Sequence, residues 1–136
     1  NIKTMKSFIL KSIVLIFAVS IQTSCVSDDD NQCYFEFMSY VTAVTGPETS
    51  TVNEEITFVV TYMPTFGCGS FLEFNEGIQG NVRYLTIFDK TTECSCSTEP
   101  VSTTINYKFT PTTPGEYTFR FKSDEDSSII KNVTVE

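Results

Sequence analysis

The 136-residue chain contains no histidine and no tryptophan. Without histidine there is no imidazole general base, none of the commonest metal ligand, and no Ser-His-Asp or Cys-His arrangement. Positive charge is scarce. Nine Lys and Arg face seventeen Asp and Glu, a formal charge of −8, which argues against a nucleic-acid partner. No Gly-rich phosphate loop and no basic-aromatic interleaving occur. The longest apolar run, Ser12 to Ile21, is about ten residues, half of what a membrane-spanning helix needs. Past Asn31 no window keeps a helical period. No nucleophile–base set can be assembled, so an enzyme is not expected. No resident cofactor or metal is expected either.

Two things are abundant. Twelve Phe and six Tyr, within 40% hydrophobic residues, suffice for the core of one domain. Five Cys is a high count for this length. The first of them, Cys25, follows a leader: Lys6 and Lys11, the apolar run Ser12 to Ile21, then Gln22-Thr23-Ser24. A basic stretch, a short apolar stretch and a small residue before the cut describe a secretory signal peptide over residues 1–24, the first four upstream of Met5. All seventeen acids but only six of the nine bases lie from Cys25 onward, leaving −11 after cleavage.

Ser24-Cys25 resembles the lipobox of bacterial lipoproteins, whose Cys becomes the lipidated first residue, although Gln22 stands where many carry Leu. Asp28, Asp29 and Asp30 resemble the acidic export signal of Bacteroidota surface lipoproteins. Together with Gly67-Cys68-Gly69, Cys94-Ser95-Cys96 and the Pro-Gly-x-Tyr element at Pro114, this is similar to a family of small lipoproteins from those bacteria. The resemblance implies a cell-surface location on the outer membrane, anchored through an N-terminal lipid, with residues 25–32 as an acidic tether. It implies no activity.

Residues 33–136 alternate with period two. Ile56, Phe58, Val60 and Tyr62 share one strand face, as do Ile105, Tyr107 and Phe109, then Tyr117, Phe119 and Phe121, then Val133 and Val135. Ile129 beside Ile130 suggests a bulge or a change of face. Weaker strands cover Tyr34 to Val44, Ser70 to Glu76 and Val82 to Phe88. The last is apolar on both faces, as a central strand is. Gly and Pro clusters separate these runs. About seven short strands in about a hundred residues predict an all-β domain, an antiparallel β-sandwich with a small barrel as the alternative. The segment Thr110 to Phe119 resembles the corner of immunoglobulin-like domains, where a Tyr caps the turn. Tyr117 would be that Tyr and Phe119 a core position.

Cys33, Cys68, Cys94 and Cys96 are an even number in an exported domain, the arithmetic of two disulfides. Antiparallel strands in chain order bring all four to the end where Cys33 enters. Cys94 and Cys96 are too far apart on an extended chain to bond each other easily, so each reaches back to Cys33 or Cys68, in an order the sequence leaves open. The turns Gly46 to Asn53, Glu76 to Asn81 and Pro111 to Gly115 fall at the opposite end, where such domains make contacts. A four-thiolate zinc site, or copper(I) on Cys94, Cys96 and a Met, is disfavoured by the spacing.

Other candidates have plainer readings. Asp124, Asp126 and Ser128 alternate like calcium-loop ligands but lack the Gly and the distal Glu. Glu73 with Glu76, or Glu54 with Glu55, could pair as in a glycosidase, but read as surface charge. Phe71, Phe74 and Tyr84 could form a sugar platform, yet are expected in the core. Asn132-Val133-Thr134 is a glycosylation sequon, uninformative in a bacterium. The function expected is a non-enzymatic interaction or accessory module. The alternative is a ligand-binding module for a glycan or metal supporting nutrient uptake, so a protein or glycan partner is open.

Overall fold

Alternation of apolar and polar residues gives most strands one face to bury, and eight strands form in a computed structural model describing residues 33–96 and 98–136. The expected signal peptide, Cys25 and Asp28 to Asp30 lie outside the described residues. The strands are β1 (Phe35–Thr45), β2 (Thr49–Ser50), β3 (Ile56–Met63), β4 (Ser70–Gln79), β5 (Val82–Thr91), β6 (Thr103–Phe109), β7 (Gly115–Lys122) and β8 (Ser128–Val135). No helix occurs among the described residues. The eighth strand beyond the expected seven is β2, a two-residue segment within the Gly46–Asn53 turn.

The strands form one mixed sheet in the order β2-β8-β7-β5-β1-β3-β6, with β4 on the remaining edge of β5. β1 belongs to two neighbourhoods. Phe35 to Ser39 pair with β5, and Tyr40 to Thr45 pair with β3, with a register shift between Val41 and Ala43. This lets the sheet curl until β3 and β6 lie across the core from β7. Phe58 on β3 packs 4.7 Å from Phe119 on β7, and Phe109 on β6 lies 5.3 Å from the same ring. Phe58, Phe119 and Phe121 have no exposed surface. Burying a side chain of this kind contributes about 1.5–3 kcal/mol.

Two pairings correct the antiparallel expectation: β5 with β7 and β2 with β8 are parallel. The cause is the route of the chain. The β4–β5 hairpin turns at Gly80 (φ 58°), a backbone conformation glycine adopts without strain, and leaves β4 on the outer edge. β5 then ends at the cysteine end, β6 returns on the other side of the core, and β7 starts from the same end as β5. No bulge occurs at Ile129 and Ile130, since β7 and β8 pair in continuous register. Ile129 is partly buried against the core and Ile130 is exposed on the outer face.

Between β7 and its preceding turn, the buried Tyr117 hydroxyl donates to the Thr113 carbonyl at 3.0 Å. The ring fills the core beside Phe109 while its tip ties the corner. The facing edges of β4 and β6 are joined by side chains. Phe74 packs against Tyr107 at 5.1 Å, and the Tyr107 hydroxyl donates to Glu76 at 2.8 Å.

Candidate functional site

The inward face of β5 reads Arg83, Leu85, Ile87, Asp89 and Thr91, placing one charge near each end of an apolar strip. Near the loop end, Arg83 pairs with Glu76 at 2.5 Å and lies over the Phe109 ring at 4.1 Å. Near the cysteine end, Asp89 is 1% exposed and accepts a hydrogen bond from Ser39 at 2.5 Å. A buried carboxylate needs such partners because desolvation is costly. Ser39 Oγ also accepts from the Thr65 backbone N–H at 3.1 Å, and the Thr65 hydroxyl donates to the Met38 carbonyl at 3.0 Å. These bonds clamp the loop after β3 onto β1. Neither Tyr62 Oη nor Asp89 Oδ1 has a partner of full hydrogen-bonding geometry among the described residues. Ser39 is 1% exposed, so beside Asp89 it is a structural brace with no access for a substrate.

Burial, reinforced by the neighbouring Asp89 carboxylate, holds the Tyr62 phenol above its ordinary pKa of 10. Burial and the hydrogen bond to Glu76 do the same for Tyr107. A phenol whose folded pKa is raised keeps its contribution below pH 10 and loses it as the pH climbs beyond. Each should therefore cost up to about 1.4 kcal/mol per pH unit above pH 10. Urea midpoints measured from pH 8 to 11.5 should fall steeply over the upper range. They should fall less for Tyr62→Phe and Tyr107→Phe.

Outside the clamp the core opens. Phe35 and Phe37 continue the inward face of β1 beyond Ser39, and Phe66 leans on Phe37 at 4.6 Å. With Thr91 and Glu93 opposite, they line an open, mainly apolar groove of about 310 Å³. Its far wall carries Cys94 and Cys96.

All four cysteines of the domain meet here in two pairs. Cys33 is joined to Cys94 and Cys68 to Cys96, with Cα–Cα distances of 5.0 and 5.8 Å. The pairing follows from strand neighbours. At its end β5 has β1 on one side (Phe35 opposite Thr91) and β4 on the other (Ser70 opposite Lys90). Cys33 leads into β1 and Cys68 into β4, so Cys94 and Cys96 reach to different sides. Gly67 lets the chain pass close: a side chain there would come within 2.2 Å of the Thr98 carbonyl oxygen. The Cys68 N–H donates to Cys96 Sγ at 3.0 Å, and the Thr91 hydroxyl to Cys68 Sγ at 3.3 Å.

The remaining candidates are not brought together. Glu76 is taken by Arg83 and Tyr107, while Glu73 points elsewhere on an exposed strand. Glu54 accepts from Thr51 and Ser50, and Glu55 pairs with Lys108 at 2.7 Å. Asp124 caps the Glu125 N–H at the β7–β8 hairpin tip. No group of three His, Cys, Asp or Glu able to hold a metal occurs among the described residues. Phe71 and Phe74 pack on the core as expected, but Tyr84 lies on the opposite face, 44% exposed. Asn132 accepts from Thr118 at 3.1 Å.

At the loop end a backbone bond joins the first and third turns directly. The expected Glu76 to Asn81 turn shrinks to Gly80 and Asn81, because β4 continues to Gln79, and it is tied to β7 instead. The Asn53 N–H donates to the Pro111 carbonyl at 2.8 Å, Val52 to Glu136 at 3.0 Å, and Thr118 to Asn81 at 3.0 Å. Sequence reasoning missed the groove because Phe35 and Phe37 carry the alternation of a core strand. Only their position beyond the last core layer exposes them. Comparison with protein-family models, curated proteins and solved structures finds no match to this chain.

Proposed function

We propose that the protein is a non-enzymatic surface lipoprotein of a bacterial outer membrane, an interaction module held through Cys25. The observation that supports this most is the order of features at the N-terminus: Lys6 and Lys11, the apolar run Ser12 to Ile21, Ser24-Cys25, then Asp28 to Asp30. The disulfide-paired all-β domain is consistent with an oxidising location. An immunoglobulin-like sandwich is the finer reading of the fold. The Tyr117–Thr113 corner favours it, and the parallel pairing of β5 with β7 departs from it. The three turns at the loop end are the proposed contact surface for a partner. Backbone bonds to Pro111, Glu136 and β7 anchor them, and the strand directions put them at the end opposite Cys33.

Detergent phase separation tests the anchor. The native protein should enter the detergent phase and the Cys25→Ser variant should stay in the aqueous phase. Equal membrane retention of both would refute the lipid anchor. Replacing Asp28, Asp29 and Asp30 with Ala should leave the lipid in place but lower protease accessibility on intact cells.

A further inference from the structure

Exposed apolar side chains are distributed unevenly over the domain. Ten large hydrophobic residues are exposed among the described residues. Six of them, Tyr34, Phe35, Met38, Met63, Phe66 and Val101, sit at or beside the cysteine end. Phe35 and Phe66 line the groove on the inner face, while Tyr34, Met38 and Met63 lie on the outer face of the same strand ends. Val101 precedes β6, so the apolar surface wraps around this end of the sheet. The Ser39–Thr65 clamp and the two disulfides hold this end together. An apolar collar of this kind, on a chain with excess negative charge, needs something to cover it.

The geometry points to a lipid bilayer as the occupant: the collar rests in the headgroup–acyl boundary of the membrane that holds the lipid anchor. This rests on the proposed acylation of Cys25. Eight residue steps separate Cys25 from Cys33, a reach of at most about 27 Å. A lipid on Cys25 therefore keeps the cysteine end, where the tether attaches, within about 27 Å of the bilayer. Phe and Tyr suit that boundary, where an apolar ring is buried and a polar tip stays wet. The acids around the collar, Glu36, Glu93 and Glu99, select a zwitterionic surface over an anionic one. One end of the domain is thereby fixed to the membrane and the loop end is turned away from it.

The absence of tryptophan makes the test direct, since one introduced indole is the only one in the molecule. Phe66→Trp and Val101→Trp place it in the collar, and Ile78→Trp places it near the loop end, where Ile78 is 63% exposed. Full-length acylated protein is reconstituted in phosphatidylcholine vesicles containing lipids brominated along the acyl chain. The indoles at positions 66 and 101 should shift to the blue and be quenched at least about twofold more than that at position 78. Quenching is expected at the shallow depth of an interfacial contact, about 5–10 Å. Anionic lipid in the vesicles should weaken it.

Vesicle-bound protein with unquenched indoles at both 66 and 101 would overturn the proposal. So would equal quenching at position 78, or a blue shift appearing without vesicles as protein concentration rises, which would mark a second copy as the occupant. Mass analysis of the N-terminal peptide reads acylation separately. If Cys25 carries no lipid, the anchor reading has failed. Coupling its thiol to a maleimide phospholipid then supplies the tether, and the same quenching comparison decides on the collar.

Discussion

Phe119→Ala should lower the stability of the domain by about 3–5 kcal/mol, read as a fall in the urea midpoint with little change in slope. The ring has no exposed surface and touches three others, Phe58 at 4.7 Å, Phe109 at 5.3 Å and Tyr107 at 6.2 Å. These come from β3 and β6, so the cavity left by alanine would lie where the two halves of the curled sheet meet. Tyr117→Phe, which removes only the hydroxyl bonded to Thr113, should cost about 0.5–1.5 kcal/mol. A loss below about 1 kcal/mol for Phe119→Ala would mean that this face of β7 is not the core.

Replacing Cys33 and Cys94 together by Ser should cost about 4 kcal/mol, because the bridge closes a loop spanning 61 positions. Replacing Cys68 and Cys96 should cost somewhat less, about 3.5 kcal/mol, for a separation of 28. The two loops share residues 68 to 94, so each bridge closes a shorter effective loop while the other is intact. Removing both should therefore cost more than the sum of the two single losses. Equilibrium unfolding of the three variants measures this. Additivity would show that the denatured chain does not feel the shared segment. Mass spectrometry of unreduced peptides should find Cys33 linked to Cys94 and Cys68 to Cys96. Any other connectivity would contradict the strand neighbourhood of β5.

Much of the all-β architecture is legible in the sequence wherever a strand keeps one face buried along its whole length. Ile56, Phe58, Val60 and Tyr62 of β3 and Tyr117, Phe119 and Phe121 of β7 are such cases, and all are buried. The corner at Tyr117 is legible because a local motif makes it. β1 is harder to read: it passes from β5 to β3, and its register shift breaks the alternation after Val41. The parallel pairing of β5 with β7 leaves no mark in either strand, since it depends on where the intervening chain goes. The collar is hidden for a similar reason. Periodicity shows which way Phe35 and Phe37 point but not where the core stops.

The bridge between Cys33 and Cys94 also has a mechanical consequence. β1 is the first strand met by any pull on the chain before Cys33, and its pairing with β5 begins only two residues later, at Phe35 opposite Thr91. Without the bridge, tension would peel that pairing open one hydrogen bond at a time, the weakest way to load a sheet. With it, force passes through covalent bonds to Cys94, and the second bridge lies two residues beyond. Load is then shared by the ends of β1, β4 and β5 together, and the domain yields only if strands slide past one another as a group. Pulled from the chain before Cys33, the domain would keep its fold under tension that would unzip the reduced form.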